Sequence, residues 1–153
     1  MGSKHSLPSD ISHMTSQESY SRWLHRKAVA HVKRDRARGH SCTVPVYKDA
    51  IHQAVIASQG RDSYTGEPLN WSLISTYDNA ASKHGRHQYK AGFALLPTVD
   101  HVEASSKKAS FKLCAWRTND AKNDLSHPDF VALCRRVLEH EGYTIVRVDP
   151  PSN

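Results

Sequence analysis

The stretch Phe93-Ala-Leu-Leu-Pro-Thr-Val-Asp-His-Val102, followed after a polar gap by Ser110-Phe-Lys-Leu-Cys-Ala-Trp-Arg-Thr-Asn-Asp-Ala-Lys-Asn-Asp-Leu125, sets the architecture of this chain. The apolar run over 93–99 predicts a short buried strand. Alternation over 110–116 predicts a second strand, and residues 118–125 suit a short helix. Strands and helix together predict an α+β arrangement.

Side chains with metal-binding and acid–base chemistry stand beside these elements. Asp100 and His101 directly follow the first strand, and Asn119 opens the short helix with Lys122 three residues later on the same face. At a strand end the chain can turn both Asp100 and His101 towards one site. Carboxylate and amide oxygens suit Mg²⁺, and a neutral imidazole can take a proton from water. Phosphodiester hydrolysis needs such a set.

Each of these residues also has an ordinary structural interpretation. His101 could be a strand-end histidine satisfied by a backbone carbonyl, and Asp100 could cap a turn. Asn119 could be only the N-cap of its helix, and Lys122 a solvated helix residue. Asn123 and His127 are second-choice ligands, and His127 also fits a capping segment.

The residues as a set resemble the HNH endonuclease motif. The resemblance rests on Val99-Asp-His-Val102, on the segment Phe111 to Leu125, and on the Phe-x-x-Leu-Cys pattern that starts at Phe130. Tyr64-Thr-Gly-Glu-Pro-Leu69 also resembles the segment that opens many such domains. The likeness covers about residues 93–138 and implies a ββα-metal core, two strands and a helix around one cation, with additional N-terminal helices.

The resemblance implies a role for individual residues. His101 matches the general base, Asp100 matches the metal-binding acid beside it, and Asn119 matches the last motif residue, which binds metal on the helix. The middle motif residue, an asparagine in the family, falls at Ser110, which could steady the loop carrying the histidine only in part. The implied cofactor is one divalent cation, Mg²⁺ or Mn²⁺.

A second departure from the family is the missing pair of Cys-x-x-Cys knuckles. The three cysteines lie far apart, and a four-ligand zinc set cannot be built from them. We therefore expect no structural zinc. The core would be held by packing of the final helix and Trp116 instead.

The N-terminal part of the chain carries no motif. Residues 1–17 are polar and are expected to form a disordered leader, outside the fold. A helix predicted over 20–38 buries Tyr20, Leu24, Ala28 and Val32 on one face. The opposite face carries basic residues expected to contact phosphates: Arg22, Arg26, Lys33 and Arg36. The other interpretation is a solvated outer face.

Further elements complete the predicted domain. A second helix is predicted over 47–58, and residues 78–92 are expected to form a polar surface loop with a second basic patch. The last helix starts at a capping box, Ser126-His-Pro-Asp129, and carries an apolar stripe that includes Cys134. A strand is expected over 143–148. We expect one nuclease domain over 18–149, with a tail at 150–153.

The composition of the chain indicates which classes of binding partner to expect. The 153 residues carry a net charge of +6, and residues 21–40 hold seven Lys or Arg and a single acid, Asp35. There is no apolar run of transmembrane length and no apolar signal core, so we expect a cytoplasmic protein without a membrane partner. A basic protein favours a polyanionic partner, here DNA, although the sequence does not discriminate DNA from RNA. Two-strand cutting would favour a homodimer.

Three hypotheses follow from the sequence. The first is a metal-dependent endonuclease that hydrolyses phosphodiester bonds in DNA. The second is a non-catalytic nucleic-acid-binding protein that keeps the HNH fold, which the serine at position 110 motivates. The third is an interaction protein with no nucleic-acid role, whose basic stretches are solvated faces.

Overall fold

The structure, a computed structural model, describes residues 4–76, 79–102 and 109–149. It is an α+β arrangement of helices and a two-stranded antiparallel sheet. By contacts between Cα atoms the chain divides into two compact units, Met1–Ala121 and Lys122–Asn153. The predicted tail at 150–153 lies outside the described residues.

Helix α1, Gln17–Ala37, buries the face that the sequence predicted. Tyr20, Leu24 and Ala28 are all 0% exposed, and Val32 is 4% exposed. Ser16 caps the helix, since its side chain accepts a hydrogen bond from the Ser19 N–H. The buried face continues through residues the sequence analysis did not place inside, His31 and Asp35.

The prediction of a disordered leader is wrong for residues 4–17. Ser9–Ile11 forms a 3-10 turn, and Ile11 is fully buried in the core. Gly60, just after the second helix, makes room for it: a Cβ on Gly60 would lie 2.8 Å from Ile11 Cγ2, and φ at Gly60 is +76°. A single apolar residue in a polar segment gives no periodic signal, which is why the sequence did not reveal this contact.

Helix α2, Val44–Ser58, begins three residues before the predicted start, with a proline in its first turn. Tyr47, Ile51 and Val55 face inward and are buried. Helix α2 packs on both α1 and the second strand. Trp23 and Trp71 are buried core side chains that meet edge to face, with ring centroids 5.2 Å apart.

The hairpin consists of β1, Pro97–His101, and β2, Phe111–Ala115, in antiparallel register with Asp100 opposite Lys112. Proline opens β1, a position where no ladder hydrogen bond is lost. Helix α4, Trp116–Lys122, follows β2 directly. Its first two N–H groups donate to Leu96 O and Ala94 O, which anchors the start of α4 beside the start of β1.

The loop over 61–68 is tied to this hairpin by Asp62, which is 1% exposed. One carboxylate oxygen accepts the N–H groups of Tyr64 and Thr65, at 2.8 and 3.1 Å, forming an Asx turn. The other accepts the Ala115 N–H at 2.8 Å and the Thr118 hydroxyl at 2.7 Å. A carboxylate therefore joins the loop, β2 and α4.

Helix α3, Asn79–Ala91, occupies the segment expected to be a surface loop. Its polar sequence lacks the apolar stripe from which a helix would be predicted. Lys90 near its end lies 5.8 Å from the centroid of the Trp116 ring. The basic residues at 83–90 therefore belong to a helix rather than to a flexible loop.

The second unit contains α5, His127–His140, whose predicted capping box is confirmed: Ser126 accepts the Asp129 N–H at 3.2 Å. No residue of α5 is buried, and Cys134 is exposed. Residues 143–148 form no strand. In the part of the chain that the structure describes, no helix has the length and apolar character needed to cross a membrane.

Candidate active site

Asp100 lies near the end of β1 and is 8% exposed. Its Oδ2 accepts a hydrogen bond of 2.5 Å from the Tyr64 hydroxyl. Burial and this bond to Asp100 raise the pKa of Tyr64 well above its usual range, so the phenol stays protonated as a donor. The Lys112 ammonium lies 5.4 Å from the centroid of the Tyr64 ring. Asp100 is therefore held against the segment that opens at residue 61.

His101, the next residue, has different partners. Its ring centroid lies 5.1 Å from that of Phe111 and 6.4 Å from that of His31, and its Nε2 lies 3.7 Å from Asp35 Oδ2. The side chain is 7% exposed. Successive side chains of a strand alternate between its two faces, and β1 keeps this alternation through His101. Asp100 thus bonds to Tyr64 whereas His101 lies beside Asp35, although the sequence suggested that both could turn to one site.

Asp35 is the partner that the sequence analysis missed. It is 1% exposed, and its Oδ2 accepts a hydrogen bond of 2.5 Å from the Tyr47 hydroxyl. A signal was present: Asp35 continues the buried stripe of α1 at a spacing of three residues from Val32, and it is the only acid among the bases of 21–40. A charged residue on the apolar face of a helix needs a partner.

Asp35 and His101 both have buried polar atoms that lack a hydrogen-bond partner among the described residues. Among the described residues, the buried side-chain atoms without a hydrogen-bond partner are Asp35 Oδ1, His101 Nδ1 and His101 Nε2. Buried polar groups are almost always hydrogen-bonded, and leaving one unpaired costs about 1–3 kcal/mol. The His101–Asp35 pair is therefore a place where the fold gives up stability.

Burial keeps the imidazoles of this cluster neutral. It lowers the pKa of His101 below the ordinary 6.5, and Arg34 and Arg38 act in the same direction, whereas the Asp35 and Asp100 carboxylates raise that pKa. Burial also lowers the pKa of His31 to about 3, with Arg34 as the next cause. At neutral pH His101 is therefore an unprotonated base with both a carboxylate and a lone pair at hand.

A cavity of about 810 Å³ lies between the end of α1 and the start of α2. Arg36 and His40 supply basic groups to its wall, and Tyr47, which also bonds to Asp35, forms part of its lining. Ala109, at the start of the segment that leads to β2, lines it as well. The cavity is thus one side chain away from the His101–Asp35 pair.

Asn119 is half-buried on α4, in the same compact unit as Asp100 and His101. Within residues 4–76, 79–102 and 109–149, no cluster of three or more His, Cys, Asp or Glu side chains could enclose a metal ion. A hard divalent cation does not require one, because Mg²⁺ is commonly bound by one or two protein oxygens together with waters and substrate phosphates. The oxygens of Asp100 and Asn119 fit that chemistry.

The remaining predicted residues fall elsewhere. Ser110 is exposed, and its backbone carbonyl, rather than its side chain, accepts a hydrogen bond of 3.0 Å from the Val102 N–H. Lys122, expected to reach a phosphate, is 5% exposed and is therefore buried. Asn123 is exposed with φ of 48°, and His127 is an exposed residue at the start of α5. The last three lie in the second compact unit.

The basic face predicted for α1 is partly engaged within the protein. Arg22 pairs with Glu18 at 2.9 Å, Arg26 donates to Ile74 O at 2.8 Å, and Arg36 donates twice to Cys42 O. Lys33 is exposed. The guanidinium groups keep further N–H donors, so this face can still attract a polyanion.

Comparisons with family models, with curated proteins and with solved structures find no match to this chain.

Proposed function

We propose that this chain is a metal-dependent endonuclease with a ββα-metal core of the HNH type, acting on phosphodiester bonds in DNA. The observation that carries the proposal is His101: a buried, neutral imidazole without a hydrogen-bond partner among the described residues, next in sequence to a buried carboxylate. A structural histidine gains stability from its hydrogen bonds, whereas a general base needs a vacant nitrogen.

The position of the Asp35 carboxylate determines which ring nitrogen of His101 acts as the general base. Nε2 faces the Asp35 carboxylate at 3.7 Å, so the negative charge favours the tautomer with its proton on Nε2. Nδ1 then keeps its lone pair and is the atom that takes a proton from the attacking water. The Tyr47 hydroxyl holds the Asp35 carboxylate in place at 2.5 Å.

Asp100 and Asn119 would hold the divalent cation, and the bound cation would supply charge stabilisation to the phosphate and to the leaving oxygen. Tyr64 fixes one oxygen of Asp100 through its hydrogen bond, so the carboxylate is held in one orientation. The exposed Lys33 and the basic wall of the cavity, with Arg36 and His40, would position the DNA backbone, mostly without reading sequence.

Supercoiled plasmid tests the proposal directly. We expect the wild-type protein to nick or cut it with Mg²⁺ or Mn²⁺, and removal of the cation with EDTA to abolish cleavage. DNA binding without metal should fall steeply between low and moderate salt, as expected for phosphate contacts. Salt-sensitive binding with no cleavage under any metal would contradict the nuclease and leave the non-catalytic DNA-binding protein. Neither binding nor cleavage would leave the interaction protein.

Replacing Asp35 with asparagine should move the pH profile of cleavage towards acid. His101 is active when unprotonated, so cleavage rises with pH through the pKa of His101, below the ordinary 6.5. Because the Asp35 charge raises that pKa, its removal lowers the pKa further and shifts the acidic limb to lower pH. We also expect cleavage at pH 7 to fall about tenfold or more as the imidazole loses its orientation.

The control for this variant is Asp49→Asn, which removes a partly exposed carboxylate that pairs with Lys4 and His5. It should leave the acidic limb in place. NMR titration of the His101 ring gives the same pKa shift independently of activity. An acidic limb that does not move in Asp35→Asn would show that Asp35 has only a structural role.

A further inference from the structure

A second cavity, of about 420 Å³, lies beside the middle of α1, and its lining does not include His101. Its size is within the range of small-ligand sites. Trp23, Ile74, Leu96 and Pro97 supply apolar surface, and the polar groups come mainly from two neighbouring cations on α1, Arg26 and Lys27. The described lining contains no acidic residue: Trp23, Arg26, Lys27, Ala30, Ile74, Ser75, Leu96 and Pro97.

Lys27 is held in place without a counter-ion. Its ammonium donates to the Thr98 hydroxyl at 3.0 Å, and within the described ranges, 4–76, 79–102 and 109–149, it forms no ion pair. Arg26 uses one N–H to donate to Ile74 O at 2.8 Å, which leaves the other guanidinium donors for a ligand. Two adjacent positive charges therefore share one cavity.

The pKa of Lys27 is lowered because its ammonium is buried beside other positive charges. Burial lowers the pKa of Lys27 from 10.5 to about 8, repulsion from Arg26 lowers it as well, Cys114 on β2 acts in the opposite direction, and Arg34 lowers it further. Charged groups removed from water are normally paired. Enclosing an unpaired ammonium beside a guanidinium costs the fold stability, so these residues favour a ligand that brings negative charge.

We propose that this cavity binds a phosphate monoester, with Lys27 and Arg26 as the groups that hold its oxygens. The charge distinguishes the ligand: a monoester carries about −1.5 to −2 near pH 7 and matches two cations, whereas a phosphodiester within a nucleic-acid strand carries one charge. The apolar walls suit an organic group attached to the phosphate. Binding here requires neither Asp100 nor His101 and is independent of cleavage.

The test follows the titration of Lys27 by NMR of protein carrying ¹³C-labelled lysine. Without ligand we expect a pKa near 8. Saturating inorganic phosphate should raise it by about one unit or more, since a bound anion favours the ammonium. Because the neutral amine does not hold the ligand, phosphate affinity should fall about fivefold to tenfold between pH 7 and pH 9.

The source of the phosphate is resolved by further ligands on the same protein. A nucleoside 5′-monophosphate that binds more tightly than inorganic phosphate would show that the apolar walls contact the organic group. A 5′-phosphorylated tetranucleotide that shifts Lys27, while its 5′-hydroxyl counterpart does not, would identify a strand end. Equal shifts from both tetranucleotides, or no shift with any of these ligands, would overturn the proposal.

Three variants separate a loss of phosphate binding from a loss of folding. Lys27→Met removes an unpaired, partly buried charge, so its melting temperature should not fall while phosphate binding is lost. Arg26→Gln, at an exposed position of the same helix, should weaken phosphate binding about threefold or more. Lys48→Met, a matched change on α2 outside the lining of this cavity, should bind phosphate as the wild type does. Wild-type affinity in Lys27→Met would also overturn the proposal.

Discussion

Replacing His101 with leucine is expected to lower plasmid cleavage by a factor of about 10² to 10⁴ and to leave the protein at least as stable as the wild type. Leucine is close in size to the imidazole and can keep the contacts with Phe111 and His31. It removes two buried nitrogens that have no hydrogen-bond partner among the described residues. Removing such atoms should raise the free energy of unfolding by about 1 kcal/mol.

The loss of cleavage together with a gain in stability distinguishes a catalytic histidine from a structural one. A histidine kept for packing or hydrogen bonding would lose stability when replaced, whereas a histidine kept for chemistry loses activity and gains stability. Thermal unfolding and plasmid cleavage should be measured on the same preparation with Mg²⁺ present. A marked loss of stability in His101→Leu, or cleavage at the wild-type rate, would contradict the assignment of His101 as the base.

The matched control is His52, a buried histidine of α2 with a satisfied ring nitrogen. The Tyr20 hydroxyl lies 2.7 Å from its Nδ1. His52→Leu should lower stability by about 1 kcal/mol, because it leaves the buried Tyr20 hydroxyl without that partner, and should not change the cleavage rate. The two histidines thus give opposite changes in stability.

The elements that the sequence predicted well are those with strong local signals. The inward face of α1 follows from helical period, and the start of α5 follows from the Ser126-x-x-Asp129 box. The two strands were placed by apolar patterning to within a few residues of Pro97–His101 and Phe111–Ala115. These features are encoded by residues that are neighbours in the chain.

The errors share a different cause. Ile11 packs against Gly60, and Asp62 bonds to Ala115 and Thr118, so each contact joins residues about 50 positions apart. No local pattern reports such a contact. Helix α3 was missed because its residues are polar on most sides.

The candidate site shows the same division. The sequence singled out Asp100 and His101 by position and chemistry, but their separation onto different partners depends on how β1 alternates and on Asp35, 66 positions before His101. The basic face of α1 was visible in sequence, whereas its use in hydrogen bonds to Ile74 and Cys42 was not. The type of each residue can be read from the sequence, whereas the side chains that it contacts depend on the fold.

Asp62 stabilises the hairpin by joining it to the loop over 61–68. Its carboxylate accepts hydrogen bonds from Tyr64, Thr65, Ala115 and Thr118, and it is 1% exposed. Hydrogen bonds to a charged group are each worth about 1.5–3 kcal/mol. The sequence analysis assigned part of this support to Trp116, which is only half-buried.

Asp62→Ala should therefore lower the free energy of unfolding by about 3–5 kcal/mol, a large part of the stability of a small domain. The substitution leaves the Ala115 N–H and the Thr118 hydroxyl, both buried, without their acceptor. Urea unfolding monitored by tryptophan fluorescence gives the free energy directly, and the melting temperature should fall by about 10 °C.

Two further variants grade the effect. Thr118→Val removes one of the bonds at nearly constant shape and should cost about 1 kcal/mol. Asp49→Ala removes a partly exposed carboxylate with its own ion pairs and should cost less than about 1 kcal/mol. If Asp62→Ala lost no more than Asp49→Ala, the carboxylate would not be the link between the loop and the hairpin. The expected order would show that the Asp62 carboxylate links the loop, β2 and α4, because four donors converge on this one buried side chain.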